Sequence, residues 1–197
     1  MADSKSTNIM GRIFDSSKED KSIDKKVEEK SESTGHSLIS SECIKLLNYR
    51  IEQEEYSSRI YHSMSMWLND NGYVGAAKEW QKDADDEMQH ASWAKKFLLD
   101  LGVQPKIPAL LEPPQKFSGL DDIINQSYDH EVLVTEQCSE LACHALEYKN
   151  HLLYQLAIKY MQEQQEELGK FQTYKDKLKA FGDDKIAMRL FDNELGG

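Results

Sequence analysis

The segment D-E-M-Q-H at residues 86–90 has a counterpart 77 positions later, E-Q-Q-E-E at residues 163–167. Each segment contains two residues that can bind a metal ion and stand three positions apart, Glu87 with His90 and Gln164 with Glu167. Residues at this spacing share one face of a helix. Each segment therefore predicts a helix that directs two ligands toward the same point.

A single glutamate precedes each of these pairs by 33 positions, Glu54 before Glu87 and Glu131 before Gln164. The two halves of the chain thus repeat one pattern of side chains. Four helices, two with one carboxylate each and two with a pair of ligands, form the arrangement that holds two metal ions inside a four-helix bundle. The pattern predicts an all-α fold with a two-metal carboxylate site between its helices.

Apolar residues at heptad spacing surround each predicted ligand. In the first helix, Leu47 and Ile51 precede Glu54, and Tyr61 and Leu68 follow it. Buried carboxylates without partners cost several kcal/mol each, and two divalent cations would neutralise the four glutamates. Oxygen ligands with one imidazole suit iron or manganese, and zinc can compete for them. No cysteine belongs to the set, which disfavours a structural zinc site.

Local signals place the ends of the helices. The hydroxyl of Ser40 can cap the first helix, and a glycine follows near the end of three of the long helices. A short fifth helix is predicted to begin at Asp183 or Asp184 and to end before Gly196. The four long helices are predicted at residues 40–71, 75–101, 120–149 and 151–181.

All four prolines of the chain lie between the second and third helices, within residues 102–118. Proline lacks the amide donor and blocks the continuation of a helix, so this segment is predicted to be an extended linker. At about 3.3 Å per residue it can reach about 56 Å, which exceeds the length of about 40 Å of one long helix. The predicted topology therefore has one long crossover and two short connections, and the third helix starts at the same end as the second.

Composition sets further bounds. The formal net charge of −11 argues against a nucleic-acid backbone as the main partner and favours the attraction of cations. Three cysteines without metal-type spacing argue against a disulfide framework and indicate a reducing compartment. No stretch approaches the roughly 18 apolar residues that span a bilayer, and the N-terminus lacks the pattern of a targeting segment. We therefore expect a cytoplasmic protein without membrane partners.

Residues 1–36 are rich in lysine, acidic residues and serine. Such a segment buries too little apolar surface to offset the entropy of ordering, so a disordered tail is expected. Its one apolar cluster could dock onto another protein or be incidental, and consists of Ile9, Met10, Ile13 and Phe14. Residues 37–197 are expected to form a single domain with a sizeable core.

Four motifs together resemble the non-haem ferritins of bacteria over about residues 38–194, whereas each motif alone is weak. The motifs are I-E-Q-E-E-Y-S-S at 51–58, D-E-M-Q-H at 86–90, Y-D-H-E at 128–131 and E-Q-Q-E-E at 163–167. The resemblance implies a ferritin-like four-helix bundle. It also implies an iron-storage protein with a ferroxidase centre that binds two irons per subunit, without haem.

The resemblance further implies a role for each ligand. The first iron would be bound by Glu54, Glu87 and His90, and the second by Glu131, Gln164 and Glu167, with Glu87 bridging both. Tyr61 matches the tyrosine that the family places beside the centre, as a candidate electron donor. A tyrosine at this heptad position equally suits core packing.

A third iron site is also implied, with the ligands Asp86, Glu163 and Glu166 and help from Glu167. The sequence departs from the family at Asp86, which is shorter than the glutamate expected there and reduces the reach toward a metal ion. The three acidic residues equally suit an acidic surface that attracts iron.

The implied reaction is the oxidation of Fe(II) to Fe(III) by O2 or H2O2, followed by deposition of ferric oxyhydroxide inside a hollow shell of twenty-four subunits. Bacterioferritins and many di-iron oxygenases have Glu-x-x-His where this chain has Gln164 and Glu167. A neutral amide gives less electron density to iron than a carboxylate or imidazole. We therefore expect iron at the second position to move on to a mineral and not to stay as a fixed cofactor.

Three alternatives stay open. A bacterioferritin with haem between subunits would show a haem absorption band, although the Gln-x-x-Glu motif argues against it. A di-iron oxidase or peroxidase such as rubrerythrin would carry a cysteine-ligated iron domain, but the chain has no Cys-x-x-Cys. A helical interaction module without enzymatic activity would show no oxygen-dependent iron oxidation and no loss on changing Glu87 or His90.

Overall fold

The computed structural model describes residues 38–182 and 184–197, and every regular element in these ranges is helical. The helices are α1 Ser41–Asp70, α2 Val74–Asp100, α3 Leu120–Glu147, α4 His151–Phe181 and α5 Lys185–Leu195. They confirm the predicted all-α fold of four long helices and a short fifth helix. None of these helices is both long and apolar enough to cross a lipid bilayer. The predicted tail at residues 1–36, with its apolar cluster, lies outside the described residues.

Side-chain caps and glycines set the helix ends where the sequence places them. The hydroxyl of Ser40 accepts a hydrogen bond from the backbone N–H of Cys43, 3.2 Å away, and the carboxylate of Asp184 accepts from two amides in the first turn of α5. Gly72 and Gly102 follow α1 and α2 with φ angles of +84° and +74°. This left-handed conformation favours glycine and terminates both helices.

The linker between α2 and α3 runs along α1. The backbone N–H of Lys106 donates to Oδ1 of Asn48 at 2.8 Å, and further along the linker the carbonyl of Pro114 accepts from the hydroxyl of Ser63. Asn48 and Ser63 stand about 22 Å apart along the axis of α1. Since α1 packs along α2, and α3 along α4, the linker carries the chain back to the end of the bundle where α2 began. The predicted crossover is confirmed.

Two hydrophobic clusters fill the bundle, and a layer of polar side chains separates them along every long helix. One cluster includes Leu47, Ile51 and Leu98, and the other includes Trp80 and Phe171. The residues between them form what we call the polar layer: Glu54, Glu87, His90, Glu131 and Gln164, all of them buried. The predicted ligands in this layer therefore lie inside the core and not on the solvated faces of their helices.

Helix α5 docks on the beginning of α2. Oδ1 of Asp192, which is buried, accepts a hydrogen bond from the backbone N–H of Ala76 at 2.9 Å. Gly75 permits this approach, because a Cβ atom at that position would lie 1.7 Å from the carbonyl oxygen of Asp192. Arg189 adds a hydrogen bond to the carbonyl of Gly72 at 2.9 Å. Thus α5 supplies the cap that α2 lacks in its own sequence.

Candidate metal centre

Glu54 of α1 and Glu87 and His90 of α2 form a compact group in the middle of the bundle. Each side chain offers one ligand atom, and the three atoms lie within 4.8 Å of one another. All three residues are buried, with exposed fractions of 1%, 5% and 7%. Within residues 38–182 and 184–197, this is the one group of three histidine, cysteine or acidic side chains so arranged. The structure therefore brings together the whole of the first predicted ligand set.

Glu131 of α3 and Gln164 of α4 meet in the same polar layer and are hydrogen-bonded to each other. Nε2 of Gln164 donates to Oε2 of Glu131 at 2.6 Å, and the hydroxyl of Tyr61 donates to Oε1 of the same carboxylate. The ring of Tyr61 is stacked on that of Phe171 at 6.1 Å between centroids. Tyr61 therefore packs in the core and also touches a predicted ligand.

Glu167, the third residue of the second predicted set, is ion-paired with a lysine on its own helix. Its Oε2 lies 2.5 Å from Nζ of Lys170, and its negative charge raises the pKa of Glu131. Nζ of Lys170 is also 2.8 Å from Oδ1 of Asp83. Two of the three residues of the second set thus meet in the polar layer, while the third is held by a lysine on its own helix.

The three acidic residues of the predicted third site do not form a group of the same kind. Oε1 of Glu163 lies 3.7 Å from Nε2 of His90, so Glu163 reaches the edge of the first ligand set. Asp86 is partly buried, and Glu166 is exposed on α4. A third iron at Asp86, Glu163 and Glu166 stays a prediction.

Sequence reasoning missed two basic residues that lie against the predicted ligands. Arg50 is only 2% exposed, and its Nε lies 2.8 Å from Oε1 of Glu54. Nη1 of Arg50 donates to Oε1 of Gln137 at 3.0 Å, while neither Nε nor Nη2 makes a directed hydrogen bond within the described residues. The contact with Glu54 is therefore an ion pair with imperfect hydrogen-bond geometry. The available signal was the spacing: Arg50 precedes Glu54 by four positions, and Lys170 follows Glu167 by three.

Burial and mutual repulsion change the acidity of the carboxyls in the polar layer. Burial raises the pKa of Glu87 well above its ordinary value, and the negative charges of Glu54 and Glu131 raise it further. Burial also raises the pKa of Glu131 to about 8, although the hydrogen bond from Tyr61 opposes this shift. Both carboxyls are therefore harder to ionise than carboxyls in water when no cation is bound. A divalent cation favours their ionised forms.

The donor set fits a divalent transition-metal ion. Glu54, Glu87 and His90 offer two carboxylates and an imidazole, and Glu131 and Gln164 offer further oxygen atoms across the same layer. Iron, manganese and zinc all accept this combination of oxygen and nitrogen ligands. The surrounding hydrophobic clusters limit access of water, which strengthens the attraction between the carboxylates and a cation.

Comparison with known families gives a match that covers most of the bundle. A family model described as a ferritin-like domain matches residues 44–181. A protein of Haemophilus influenzae named "Probable bacterial non-heme ferritin-like protein" is 33% identical over 159 residues, covering 81% of this chain and 96% of its own length. The "Bacterial non-heme ferritin" of Escherichia coli is 32% identical over 158 residues, covering 80% and 96%.

Solved structures give the same match in three dimensions. The open pore ferritin of the archaeon Archaeoglobus fulgidus superposes with a TM-score of 0.79 at 30% sequence identity. The match covers 81% of this chain and 98% of the archaeal chain. The similarity therefore extends over nearly the whole archaeal chain.

Proposed function

The chain belongs to the ferritin family, and from that premise we propose that it stores iron and oxidises Fe(II) at the site between its helices. The observation that carries the proposal is the buried group of Glu54, Glu87 and His90, whose ligand atoms lie within 4.8 Å of one another. Iron is both the substrate and the cargo of this site. The ferritin names of the relatives support storage as the purpose of the oxidation.

The buried carboxyls of the polar layer give the first step of the reaction. Fe(II) that binds between Glu54, Glu87 and His90 favours the ionised form of Glu87, whose pKa is raised in the metal-free protein. Hard anionic ligands gain more from Fe(III) than from Fe(II), because the higher charge is attracted more strongly. The carboxylates therefore favour oxidation of the bound iron.

The electron balance requires two ferrous ions for each oxidant molecule. Each Fe(II) gives up one electron, and O2 takes two electrons and two protons to become H2O2. When H2O2 is the oxidant, it takes two electrons and two protons, and two water molecules form. Fe(III) then hydrolyses, releases protons and accumulates as ferric oxyhydroxide.

We assign the second iron to Glu131, Gln164 and Glu167, with Glu87 bridging the two ions. Oε2 of Glu167 is ion-paired with Lys170, and the charge of Glu167 acts on Glu131. The neutral amide of Gln164 holds iron less strongly than a carboxylate would, which suits an ion that moves on to a mineral. Iron-loading stoichiometry tests this assignment, and a stable di-iron centre that cycles without passing iron onward would contradict it.

Tyr61 is positioned to serve as an electron donor. Its hydroxyl is hydrogen-bonded to Glu131, so the carboxylate can accept the phenolic proton when the ring loses an electron. The predicted third iron at Asp86, Glu163 and Glu166 would lie beside this centre, where Glu163 already approaches His90. The role of Tyr61 and the third iron site are additions to the proposed ferroxidase centre, and the two-iron reaction does not depend on either of them.

Storage requires an enclosure, so the proposed function includes a homo-oligomeric shell of twenty-four subunits in the cytoplasm. The solved relatives include a ferritin described as open pore and an engineered closed form of it, and these descriptions fit an enclosing shell. Size-exclusion chromatography with light scattering tests it directly, because the particle would be many times heavier than the 22.7 kDa chain. A monomer or dimer would contradict the storage function while leaving iron oxidation open.

The decisive experiment is anaerobic addition of Fe(II) to the metal-free protein, followed by exposure to air. We expect rapid growth of ferric absorbance in the wild type. Substitution Glu87→Gln should slow the rate by about 100-fold, because it removes the charge shared by the two irons. Asp85→Asn is the matched control, since Asp85 lies on the same helix with an exposed side chain.

Each alternative outcome of these measurements would indicate a different function. An oxidation rate no faster than buffer, equal in wild type and Glu87→Gln, would leave a helical interaction module without ferroxidase activity. A haem absorption band in the purified protein would indicate a bacterioferritin-like function. Turnover that consumes peroxide without storing iron would indicate another di-iron oxidase.

A further inference from the structure

Lys170 on α4 is a cation held between two carboxylates at the edge of the polar layer. Its Nζ lies 2.8 Å from Oδ1 of Asp83 on α2 and 2.5 Å from Oε2 of Glu167 on α4. The Lys170 side chain is 22% exposed and that of Asp83 only 3%. The ammonium group also lies over the ring of Phe171, 4.7 Å from its centroid. Lys170 therefore joins two helices through charges that are largely removed from water.

Asp83, the partner of Lys170 on α2, depends on this lysine for its neutralisation. Oδ2 of Asp83 is buried and has no hydrogen-bond partner within the described residues, so Lys170 provides the neutralising contact of that carboxylate. Burial works to lower the pKa of Lys170, but the charges of Asp83 and Glu167 outweigh it and raise the pKa. Lys170 is therefore charged at neutral pH and is anchored to α2.

The partner on α4 has a different position. Glu167 is more exposed than Asp83, and it belongs by sequence to the second set of iron ligands. The ion pair with Lys170 occupies Oε2 of Glu167, one of the two oxygen atoms that this carboxylate could offer to a metal ion. The negative charge of Glu167 also raises the pKa of Glu131, another residue of the second ligand set.

We propose that Lys170 is a positioning residue that competes with the second metal ion for the carboxylate of Glu167 and thereby sets the affinity of the second iron position. This inference rests on the proposed function. When a metal ion arrives, Glu167 exchanges the ammonium group for the ion, and Lys170 remains bound to Asp83. No covalent bond changes, and the free energy of breaking the Glu167–Lys170 pair is subtracted from metal binding.

The test is a calorimetric titration of the full-length, metal-free protein with Zn2+, which binds the same ligand types without being oxidised. Lys170→Met removes the competing charge and keeps the apolar stem, so we expect the second Zn2+ of each subunit to bind about tenfold more tightly. Lys170→Arg keeps the charge and should retain the weak second position. Lys177→Met is the matched control, because Lys177 lies two helical turns away on α4 and pairs with Glu194 of α5.

Thermal unfolding separates this role from a structural one. The metal-free Lys170→Met protein should unfold at a lower temperature than wild type, since Asp83 loses its partner. A residue that only supports the fold would lose metal affinity together with stability. Tighter Zn2+ binding with a lower unfolding temperature is therefore the expected signature. Unchanged or weaker binding of the second Zn2+ in folded Lys170→Met overturns the proposal.

Asp83→Asn supplies a test of opposite sign, which also serves if Lys170→Met fails to fold. Loss of the Asp83 charge leaves Lys170 with Glu167 as its one anionic partner among the described contacts. The second Zn2+ should then bind more weakly than in wild type. Tighter or unchanged binding in Asp83→Asn counts against the competition.

A double-substitution cycle assigns the effect to Glu167. In a Glu167→Gln background, Lys170→Met should no longer tighten the second position, because the contested carboxylate is gone. An equal gain in both backgrounds would show that Lys170 acts through something else and would overturn the proposal. Failure of the proposed function looks different: Zn2+ binding would then be insensitive to Glu54→Gln and His90→Ala as well.

Discussion

Arg50 and Lys170 change how the charge of the polar layer is balanced. Four buried or half-buried glutamates would require two divalent cations if the protein offered no cation of its own. The structure supplies one basic side chain at Glu54 and another at Glu167. The metal-free bundle is therefore partly neutralised by its own basic residues, and the raised pKa values of Glu87 and Glu131 favour the neutral forms of these carboxyls.

The buried guanidinium of Arg50 should stabilise the metal-free protein. Arg50→Met leaves Glu54 without its ion pair in the core, and breaking a buried pair in this way costs about 3 kcal/mol. Urea unfolding in the presence of a chelator measures this loss. Arg59→Met is the control on the same helix, since Arg59 is exposed and its removal should change stability by less than about 0.5 kcal/mol. An equal loss of unfolding free energy in the two variants would show that Arg50 does not stabilise the buried charge of Glu54.

The raised pKa of Glu131 predicts the pH dependence of stability. Its pKa in the folded protein is about 8, above the ordinary value of 4.5, so folding favours the protonated form. The stabilisation from this group is complete below pH 4.5 and is lost as the pH rises through 8. The metal-free protein should therefore melt about 5 °C lower at pH 8.5 than at pH 6.

Circular dichroism melts with a chelator present test this dependence, and Glu131→Gln should reduce it because glutamine cannot titrate. Glu140→Gln, an exposed change on the same helix, should leave it intact. A wild-type protein that becomes more stable between pH 6 and pH 8.5 would contradict the assignment of a retained proton to Glu131.

At the scale of helices, the sequence predicted most of what the structure contains because the signals are local. Ser40, Asp184 and the glycines after α1 and α2 act within one turn of the helix ends that they determine. The prolines between α2 and α3 are an equally local signal, and the crossover was predicted from them. The spacing of the ligand pairs at i, i+3 depends only on helix geometry, and the ligand atoms of Glu87 and His90 lie close together as that spacing predicts.

Contacts between distant residues account for what sequence reasoning missed. Asp83 and Lys170 are 87 positions apart, and Ala76 and Asp192 are 116 positions apart. Neither spacing follows from the periodicity of a helix. The ion pair between Glu167 and Lys170 has a local i, i+3 spacing, but the other partner of that lysine, Asp83, comes from a different helix.

The docking of α5 gives a prediction at this scale. Asp192→Ala leaves the buried N–H of Ala76 without its acceptor, which should cost about 1–3 kcal/mol. Amide hydrogen exchange should accelerate in α5 and the first turn of α2, while the middle of α3 keeps its protection. Asn193→Ala is the control, since Asn193 is the exposed neighbour on α5. Uniform acceleration across all helices would show that the contact stabilises the bundle as a whole.

For the whole molecule, metal binding should be visible as thermal stability. An ion that binds the folded chain only, at a concentration 100 times its dissociation constant, contributes about 2.7 kcal/mol per site. Zn2+ should therefore raise the melting temperature of the wild type by several degrees, and a chelator should reverse the shift. Glu87→Gln should abolish most of the gain. A shift of equal size in Glu87→Gln would locate the stabilising ion elsewhere.

The polar layer has a consequence for how the bundle responds to its solvent. It interrupts the hydrophobic contact between the two clusters at the same height on all four long helices. At this height the helices are joined by directed contacts between polar side chains, from Tyr61 and Gln164 to Glu131 and from Lys170 to Asp83. The stability of this cross-section should therefore change with pH and with bound cations, whereas that of the apolar regions on either side should not.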